Sequence, residues 1–128
     1  MRLDRIEVVT LFVEEIDTAK AFYKKVFSPE VVYEDAVSAV LQFGGVMVNL
    51  LQESQAGKLV TPIKVAPPGR GANALLTVRV DDVDATYAEL SARGVQFLNG
   101  PIDRPWGRRT AAFAGPSGHV WEIAQLLG

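Results

Sequence analysis

The stretch Val8–Asp17, VVTLFVEEID, returns later in the chain as Leu75–Asp84, LLTVRVDDVD. Only Phe12 and Arg79 form a non-conservative pair between the two copies. Each copy starts with an aliphatic, β-branched run typical of a strand and ends with acidic residues typical of a helix N-terminus. We therefore interpret the chain as two copies of one structural unit.

A second, weaker match near the end of each half supports the duplication. Gly45–Leu51 aligns with Gly118–Ala124 through a shared turn glycine and the strand pattern that follows it. Chance similarity between two strands is the alternative explanation. The helix cap, the apolar helix stripe and the turn glycine repeat in the same order, and this favours a true repeat.

The first half predicts one helix and four strands. A strand is expected over Ile6–Val13, and Asp17 is a suitable N-cap for the helix that follows. Pro29 ends this helix, whose apolar stripe consists of Ala19, Phe22, Tyr23 and Val26. Gly44-Gly45 forms the tight turn between the last two of three short strands, which are expected at Val31–Tyr33, Ala39–Phe43 and Val46–Leu51.

The second half predicts the same order of elements. A strand over Ala74–Val80 precedes a helix that Asp82 or Asp84 caps and that Gly94 ends. The remaining strands are expected at Val95–Leu98, Arg109–Ala114 and His119–Ala124. The glycine- and proline-rich segments Asn99-Gly100-Pro101 and Gly115-Pro116-Ser117-Gly118 are interpreted as turns.

The segment Glu53–Ala72 contains three prolines and three glycines and shows no clear period, so we interpret it as a link between the halves. We expect one domain over residues 1–128, with module 1 at about 1–53, a linker at about 54–72 and module 2 at about 73–128. The predicted fold class is α+β: two tandem βαβββ modules form a curved mixed sheet around a cleft, with the helices on its outer face.

Side chains alternate between the two faces of a strand, so the first strand of each module predicts which face is covered. Three aliphatic residues of each strand are expected to pack under the helices: Val9, Leu11 and Val13, then Leu76, Val78 and Val80. The opposite faces are mixed in polarity and suit a shared cleft: Val8, Thr10 and Phe12, then Leu75, Thr77 and Arg79.

Composition excludes several classes of function. The net charge of −2 is scattered along the chain, which gives no basic cluster for nucleic acid and no basic amphipathic stretch for a membrane surface. Without cysteine, disulfides, thiolate nucleophiles and zinc–thiolate sites are impossible. The chain starts with charged residues and has no apolar run of membrane-spanning length, so a cytoplasmic location is expected.

The sequence resembles the vicinal oxygen chelate superfamily, which includes glyoxalases, extradiol dioxygenases, and fosfomycin- and bleomycin-resistance proteins. The first module carries the resemblance in Val9–Val13 and Asp17–Tyr23. The second module carries it in Val80–Asp84 and Gly115–Ile123, and Arg104–Arg108 resembles the loop before the last hairpin of many members.

The resemblance implies four positions for metal ligands, one on the first and one on the last strand of each module. They correspond to Val8, Asn49, Leu75 and Glu122. Valine and leucine cannot bind a metal, and an asparagine offers only a weak neutral oxygen. A single carboxylate is far below the about three protein ligands of a catalytic zinc site, so we expect neither a metal nor another cofactor.

Glu122 is therefore the residue of greatest interest, and it is the candidate for any catalytic acid or base. A carboxylate on the cleft face needs a partner, and Arg79 on the facing strand is one possibility. A structural ion pair or backbone hydrogen bond is the alternative to ligand binding. His119, the only histidine, lies three residues along the strand and on the opposite face, which favours a structural role.

A cleft with mixed polarity suits a small molecule, and an ordinary apolar core is the competing interpretation. Trp106 lies in a loop, where an aromatic side chain has less structural reason to be. We predict a ligand-binding set of Thr10, Phe12, Met47, Asn49, Thr77, Arg79, Trp106 and Glu122.

We hypothesise a metal-free small-molecule binding protein that resembles the bleomycin-resistance-type, drug-sequestering members and takes an aromatic or planar ligand. One alternative is a glyoxalase-like lyase or isomerase, or a dioxygenase, with an unusual or metal-independent site. A structural module without a ligand is the third hypothesis. The resemblance and the open sheet edges also imply a homodimer.

Overall fold

The computed structural model describes residues 1–67 and 69–128. The chain divides into two compact units, Met1–Pro68 and Gly69–Gly128. Each unit holds a four-stranded mixed sheet and a helix between its first and second strands. The predicted α+β class with two tandem βαβββ modules is confirmed.

Unit 1 contains β1 (Val8–Val13), α1 (Ile16–Phe27), β2 (Glu30–Glu34), β3 (Ser38–Phe43) and β4 (Val46–Gln52). The strand order is β1-β4-β3-β2, and only the β1–β4 pair is parallel. The segment interpreted as a link between the halves contains a 3₁₀ turn, Glu53–Gln55, and the short helix α2, Gly57–Val60.

Unit 2 contains β5 (Leu75–Arg79), α3 (Val83–Ala92), β6 (Phe97–Arg104), β7 (Arg108–Ala114) and β8 (Val120–Leu126). Its strand order, β5-β8-β7-β6, repeats that of unit 1, and β5–β8 is again the parallel pair. Among the described residues, none of the helices has the length and hydrophobicity needed to cross a bilayer.

The registers of the two parallel pairs show the duplication at the level of single residues. Thr10 lies opposite Asn49 in unit 1, and Thr77 lies opposite Glu122 in unit 2. These are the pairs that the two sequence matches align. The weaker match at the end of each half is therefore correct in register.

Each sheet packs its aliphatic and aromatic face beneath its helix. Leu11 and Val13 are buried in unit 1, as the alternation along β1 predicts, and in unit 2 the corresponding Leu76, Val78 and Val80 are partly buried. In unit 2 the ring of Phe113 meets Phe97 edge to face, and Phe97 contacts Tyr87 of α3. These ring contacts pack α3 against one face of the sheet, so the side chains on the opposite face are not covered by α3.

The caps of the two main helices differ partly from the prediction. The N-cap of α1 is Glu15, whose side chain accepts a hydrogen bond from the Asp17 amide at 3.1 Å, so the assignment of the cap to Asp17 is wrong. Asp17 instead lies in the first turn of α1, where its negative charge interacts favourably with the helix dipole. For α3 the cap is Asp82, which accepts from the Ala85 amide at 3.0 Å.

The segment Asn99-Gly100-Pro101 is not a turn. It lies inside β6, which runs to Arg104 rather than ending at Leu98, and its pairing with β7 is shifted between Asn99 and Ile102. Glycine and proline favour a turn locally, but long-range pairing with β7 absorbs them as a bulge. Gly100 has φ +88°, which a side chain would make strained.

A glutamine on the last strand of each unit binds the start of that unit's helix. The amide of Ile16 donates to Gln52 Oε1 at 2.9 Å, and the amide of Val83 donates to Gln125 Oε1 at 2.9 Å. Gln52 also donates through Nε2 to the carbonyl of Glu14. Each glutamine satisfies a helix amide that has no partner within the helix and links that helix to β4 or β8.

We expect Gln52→Ala and Gln125→Ala each to lower the free energy of unfolding by about 1–2 kcal/mol, because each leaves a part-buried amide without an acceptor. Urea titrations of both single variants test this, with Gln96→Ala, an exposed position outside the helices and strands, as the control. A loss of stability no larger than that of Gln96→Ala would contradict the role of the two glutamines.

Candidate functional site

The face of the unit 2 sheet opposite α3 carries three of the eight predicted ligand-binding residues, and a fourth, Trp106, lies in the turn at its edge. Cross-strand partners share a face. One row across the sheet therefore consists of Thr77, Glu122, Ala112 and Asn99, and the next consists of Arg79, Ala124, Thr110 and Ile102. We call this surface the open face of unit 2. It presents a carboxylate, a hydroxyl, an amide and an arginine around buried alanines.

Glu122 is partly buried on this face and is held by its neighbour on β5. Thr77 Oγ1 donates to Glu122 Oε1 at 3.0 Å. The partner of the carboxylate is thus a hydroxyl, and no ion pair between Arg79 and Glu122 is present among the described residues. The bond fixes one carboxylate oxygen, which leaves the other able to accept from a second donor.

Trp106 lies in the turn between β6 and β7 and is 68% exposed. The turn is held by hydrogen bonds from the Gly107 amide to the Arg104 carbonyl and from the Leu127 amide to the Gly107 carbonyl. The guanidinium of Arg104 lies 6.0 Å from the centre of the Trp106 ring, at the outer limit of a cation–π contact. The structure therefore presents a large aromatic surface at one end of the open face.

Sequence reasoning missed the polar contacts that hold Arg104 on this face. Its Nε donates to Thr110 Oγ1 at 3.0 Å, and its Nη2 lies 3.4 Å from Asn99 Oδ1. The only sequence signal was the motif Arg104–Arg108, which marked the loop but did not show which side chains Arg104 contacts. The sequence predicts a turn at Asn99, and a residue in a turn has no predicted strand partner.

The corresponding face of unit 1 carries the other predicted residues, all of them partly buried: Thr10, Phe12, Met47 and Asn49. Val8 lies opposite Met47, and Asn49 lies between Thr10 and Val40. The Oδ1 atom of Asn49 is buried and has no hydrogen-bond partner among the described residues. A buried acceptor without a donor lowers the free energy of unfolding. Asn49 Oδ1 is therefore the polar atom of this face that lacks a donor among the described residues.

His119 lies just before β8, and the alternation along the strand places it on the face opposite Glu122. Its side chain is partly buried and its Nδ1 has no hydrogen-bond partner among the described residues. Burial lowers the pKa of the imidazole from its usual 6.5. This environment favours the neutral ring.

We expect His119 to make the protein less stable as the pH falls below 6.5. The depressed pKa means that the unfolded chain binds the proton first, so the stabilisation is present above pH 6.5 and is lost as the pH falls through the folded-state value. Urea midpoints measured from about pH 7.5 to about pH 5.5, where no other side-chain type has its unperturbed pKa, test this. The pH dependence in this window should disappear in His119→Gln; an unchanged slope would assign it to other groups.

The residues at the metal-ligand positions do not fit a divalent ion in either unit. Unit 1 offers only the amide of Asn49 beside Val8, and unit 2 offers only the carboxylate of Glu122 beside Leu75. Within the described ranges, no group of three or more histidine, cysteine, aspartate or glutamate side chains has metal-binding geometry. Hydrogen bonding is the chemistry these side chains supply.

The family model for the glyoxalase/bleomycin resistance protein/dioxygenase superfamily matches residues 4–123. The protein YraH of Bacillus subtilis is 28% identical over 123 residues, which are 93% of this chain and 96% of that protein.

Two solved structures extend the comparison. TnmS3, an antibiotic binding protein from Streptomyces sp. CB03234, is 26% identical with a TM-score of 0.74, and the match covers 98% of both chains. A glyoxalase/bleomycin resistance protein/dioxygenase from Nocardioides has a TM-score of 0.86 at 24% identity, covering 99% of this chain and 86% of its own, and shows the shared fold.

Proposed function

Because this chain belongs to the glyoxalase/bleomycin resistance protein/dioxygenase superfamily, we propose that it binds a small molecule without a metal and uses Glu122 as the polar anchor. The observation that carries the proposal is the Thr77–Glu122 hydrogen bond on the open face of unit 2. It orients a carboxylate at a position where the superfamily resemblance implies a metal ligand, while the partner position, Leu75, is aliphatic.

The ligand class follows from the side chains around Glu122. Trp106 offers an exposed ring, and the oriented carboxylate accepts a hydrogen bond from a hydroxyl or amine. These groups suit a planar aromatic molecule with a polar substituent, of the kind that drug-sequestering members bind. The similarity to TnmS3, described as an antibiotic binding protein, supports this choice.

A thermal-shift screen against aromatic antibiotics and planar metabolites tests the proposal. Ligand binding to the native state stabilises it by mass action, so a true ligand at about 100 times its Kd adds about 2.7 kcal/mol to the free energy of unfolding. If no compound in the screen raises the melting temperature, the proposal is contradicted. Elemental analysis of protein purified without chelator is the second readout, and a stoichiometric divalent ion would overturn the metal-free assignment.

A metal-independent lyase or isomerase is the second candidate, and the observation that favours it is again the oriented carboxylate. Glu122 can accept a proton through the oxygen that Thr77 does not hold. If a substrate is found, Glu122→Gln separates the candidates. Loss of turnover with retained binding would support catalysis, and retained turnover would exclude Glu122 as the acid or base.

We also propose a cytoplasmic homodimer. The edge strand β2 is exposed along its whole length and carries Val31, Val32 and Tyr33, whose apolar surface favours pairing with another chain. Sedimentation velocity of the purified protein measures the oligomeric state. A single species at the monomer mass of 13.9 kDa across micromolar concentrations would contradict the dimer.

A further inference from the structure

Three arginines meet at one end of the open face of unit 2. Arg104 lies directly opposite Arg108 in the β6–β7 pair, and Arg79 lies two strands away, in the row of Thr110. We call these three residues the arginine corner. Like charges directly opposite each other across a strand pair are destabilising, so this arrangement has a cost that needs an explanation.

Arg109, which follows Arg108 in β7, is an arginine with a structural role and serves as a comparison for the arginine corner. Arg109 points to the other face, where its guanidinium binds Asp84 at 3.0 Å and Asp103 at 2.9 Å. No residue of the arginine corner has such a partner: among the described residues, none forms an ion pair with an acidic side chain. The corner therefore carries uncompensated positive charge.

The three guanidinium groups are not equivalent. The Arg104 side chain is held by Thr110 and Asn99, whereas the side chains of Arg79 and Arg108 form no hydrogen bond with other described residues. With strands about 4.8 Å apart and about 3.3 Å per residue, the Cα atoms of Arg79 and Arg108 are separated by about 12 Å. Two arginine side chains can converge across that distance on one anionic group and bind it in bidentate geometry.

We propose that the ligand is a planar aromatic carboxylate whose anionic group is bound by Arg79 and Arg108. This inference rests on the proposed function and names the charge of its ligand. The aromatic body extends across the face from the arginine corner, where Trp106 also lies, to Glu122, which accepts from a hydroxyl or amine at the far end of the ligand. The arginine corner and Glu122 thus give the face opposite charges at two ends, which orient a ligand that carries both an acceptor and a donor.

Isothermal titration with 6-hydroxy-2-naphthoate and its uncharged methyl ester tests the charge assignment. Both probes have the same rings and hydroxyl, and only the first has an anion. We expect the carboxylate to bind at least about tenfold more tightly, since hydrogen bonds between charged groups are stronger than those of a neutral ester. The difference should shrink as salt is raised, because exposed charges are screened.

Substitutions in the arginine corner test whether these residues cause the difference in affinity between the carboxylate and the ester. Arg108→Gln and Arg79→Gln should each weaken binding of the carboxylate more than binding of the ester, and so reduce the ratio between the two Kd values. Arg109→Gln is the matched control, since it removes an arginine from the same hairpin but from the opposite face, and it should keep the ratio.

The outcomes separate this inference from the proposed function. A preference for the carboxylate that depends on Arg79 and Arg108 supports both. Equal binding of the two probes, or a preference that Arg109→Gln abolishes equally, overturns the arginine assignment while small-molecule binding stands. No binding of either probe, together with no shift in the broader screen, overturns the proposed function and the inference with it.

Discussion

Replacing Gly100 with alanine should lower the free energy of unfolding by about 3 kcal/mol or more. The added Cβ atom would lie 2.4 Å from the carbonyl oxygen of Thr110 and 2.7 Å from the Cα atom of Ala111. Both are backbone atoms of β7, the neighbouring strand in the middle of the unit 2 sheet, so no side-chain rotation relieves the overlap. The backbone at φ +88° adds the strain of a left-handed conformation.

Gly118→Ala is the matched control for this substitution. Gly118 has the same φ of +88°, but nothing lies within 4 Å of the Cβ atom it would gain. Its cost should be limited to the left-handed backbone, about 1–2 kcal/mol. Urea denaturation of both variants measures the difference, and equal losses of stability would show that the bulge in β6 adjusts to the methyl group.

Glu122→Gln should weaken binding of 6-hydroxy-2-naphthoate by about tenfold or more, because a hydrogen bond to a charged acceptor contributes about 1.5–3 kcal/mol. Glutamine keeps the size of the side chain and removes the charge, so the fold should be little affected. Isothermal titration measures the change. Glu89→Gln, which neutralises an exposed carboxylate on α3, serves as the control and should leave the Kd unchanged.

A substitution of Thr77, the hydrogen-bond donor to Glu122, tests the same interaction independently. Thr77→Val removes the hydroxyl that orients the carboxylate, so it should weaken binding by less than Glu122→Gln does. In the double variant the two effects should not add, since both act on one interaction. Additive losses, or full affinity in Glu122→Gln, would show that the ligand does not use this carboxylate.

Part of the candidate site follows from the alternation along single strands. Thr77 and Arg79 share one face of β5, and Val120 and Glu122 share one face of β8, because successive side chains point to opposite sides of a strand. The bond from Thr77 to Glu122 could not be predicted in this way. It depends on which residues of β5 and β8 stand opposite each other, and several registers would have kept the same faces buried.

Local signals were least reliable where a distant strand competes with them. Gly100-Pro101 favours a turn in isolation, yet pairing with β7 places it inside β6. The Arg104–Arg108 motif likewise did not show that Arg109 is neutralised by two aspartates while Arg108 is not. Faces and partners in this hairpin are set by its register, and the bulge shifts that register.

The amino-acid pattern is sufficient to show that one βαβββ unit occurs twice, which faces of β1 and β5 are aliphatic, and that Val8 and Leu75 cannot bind a metal. These properties are local or are repeated within the chain, so one sequence suffices to find them. Only the three-dimensional structure shows that Thr77 donates to Glu122, that Gln52 and Gln125 accept from the first amides of the two helices, and that Arg108 has no acidic partner among the described residues. Each of these contacts depends on register between strands far apart in the chain, which local periodicity does not encode.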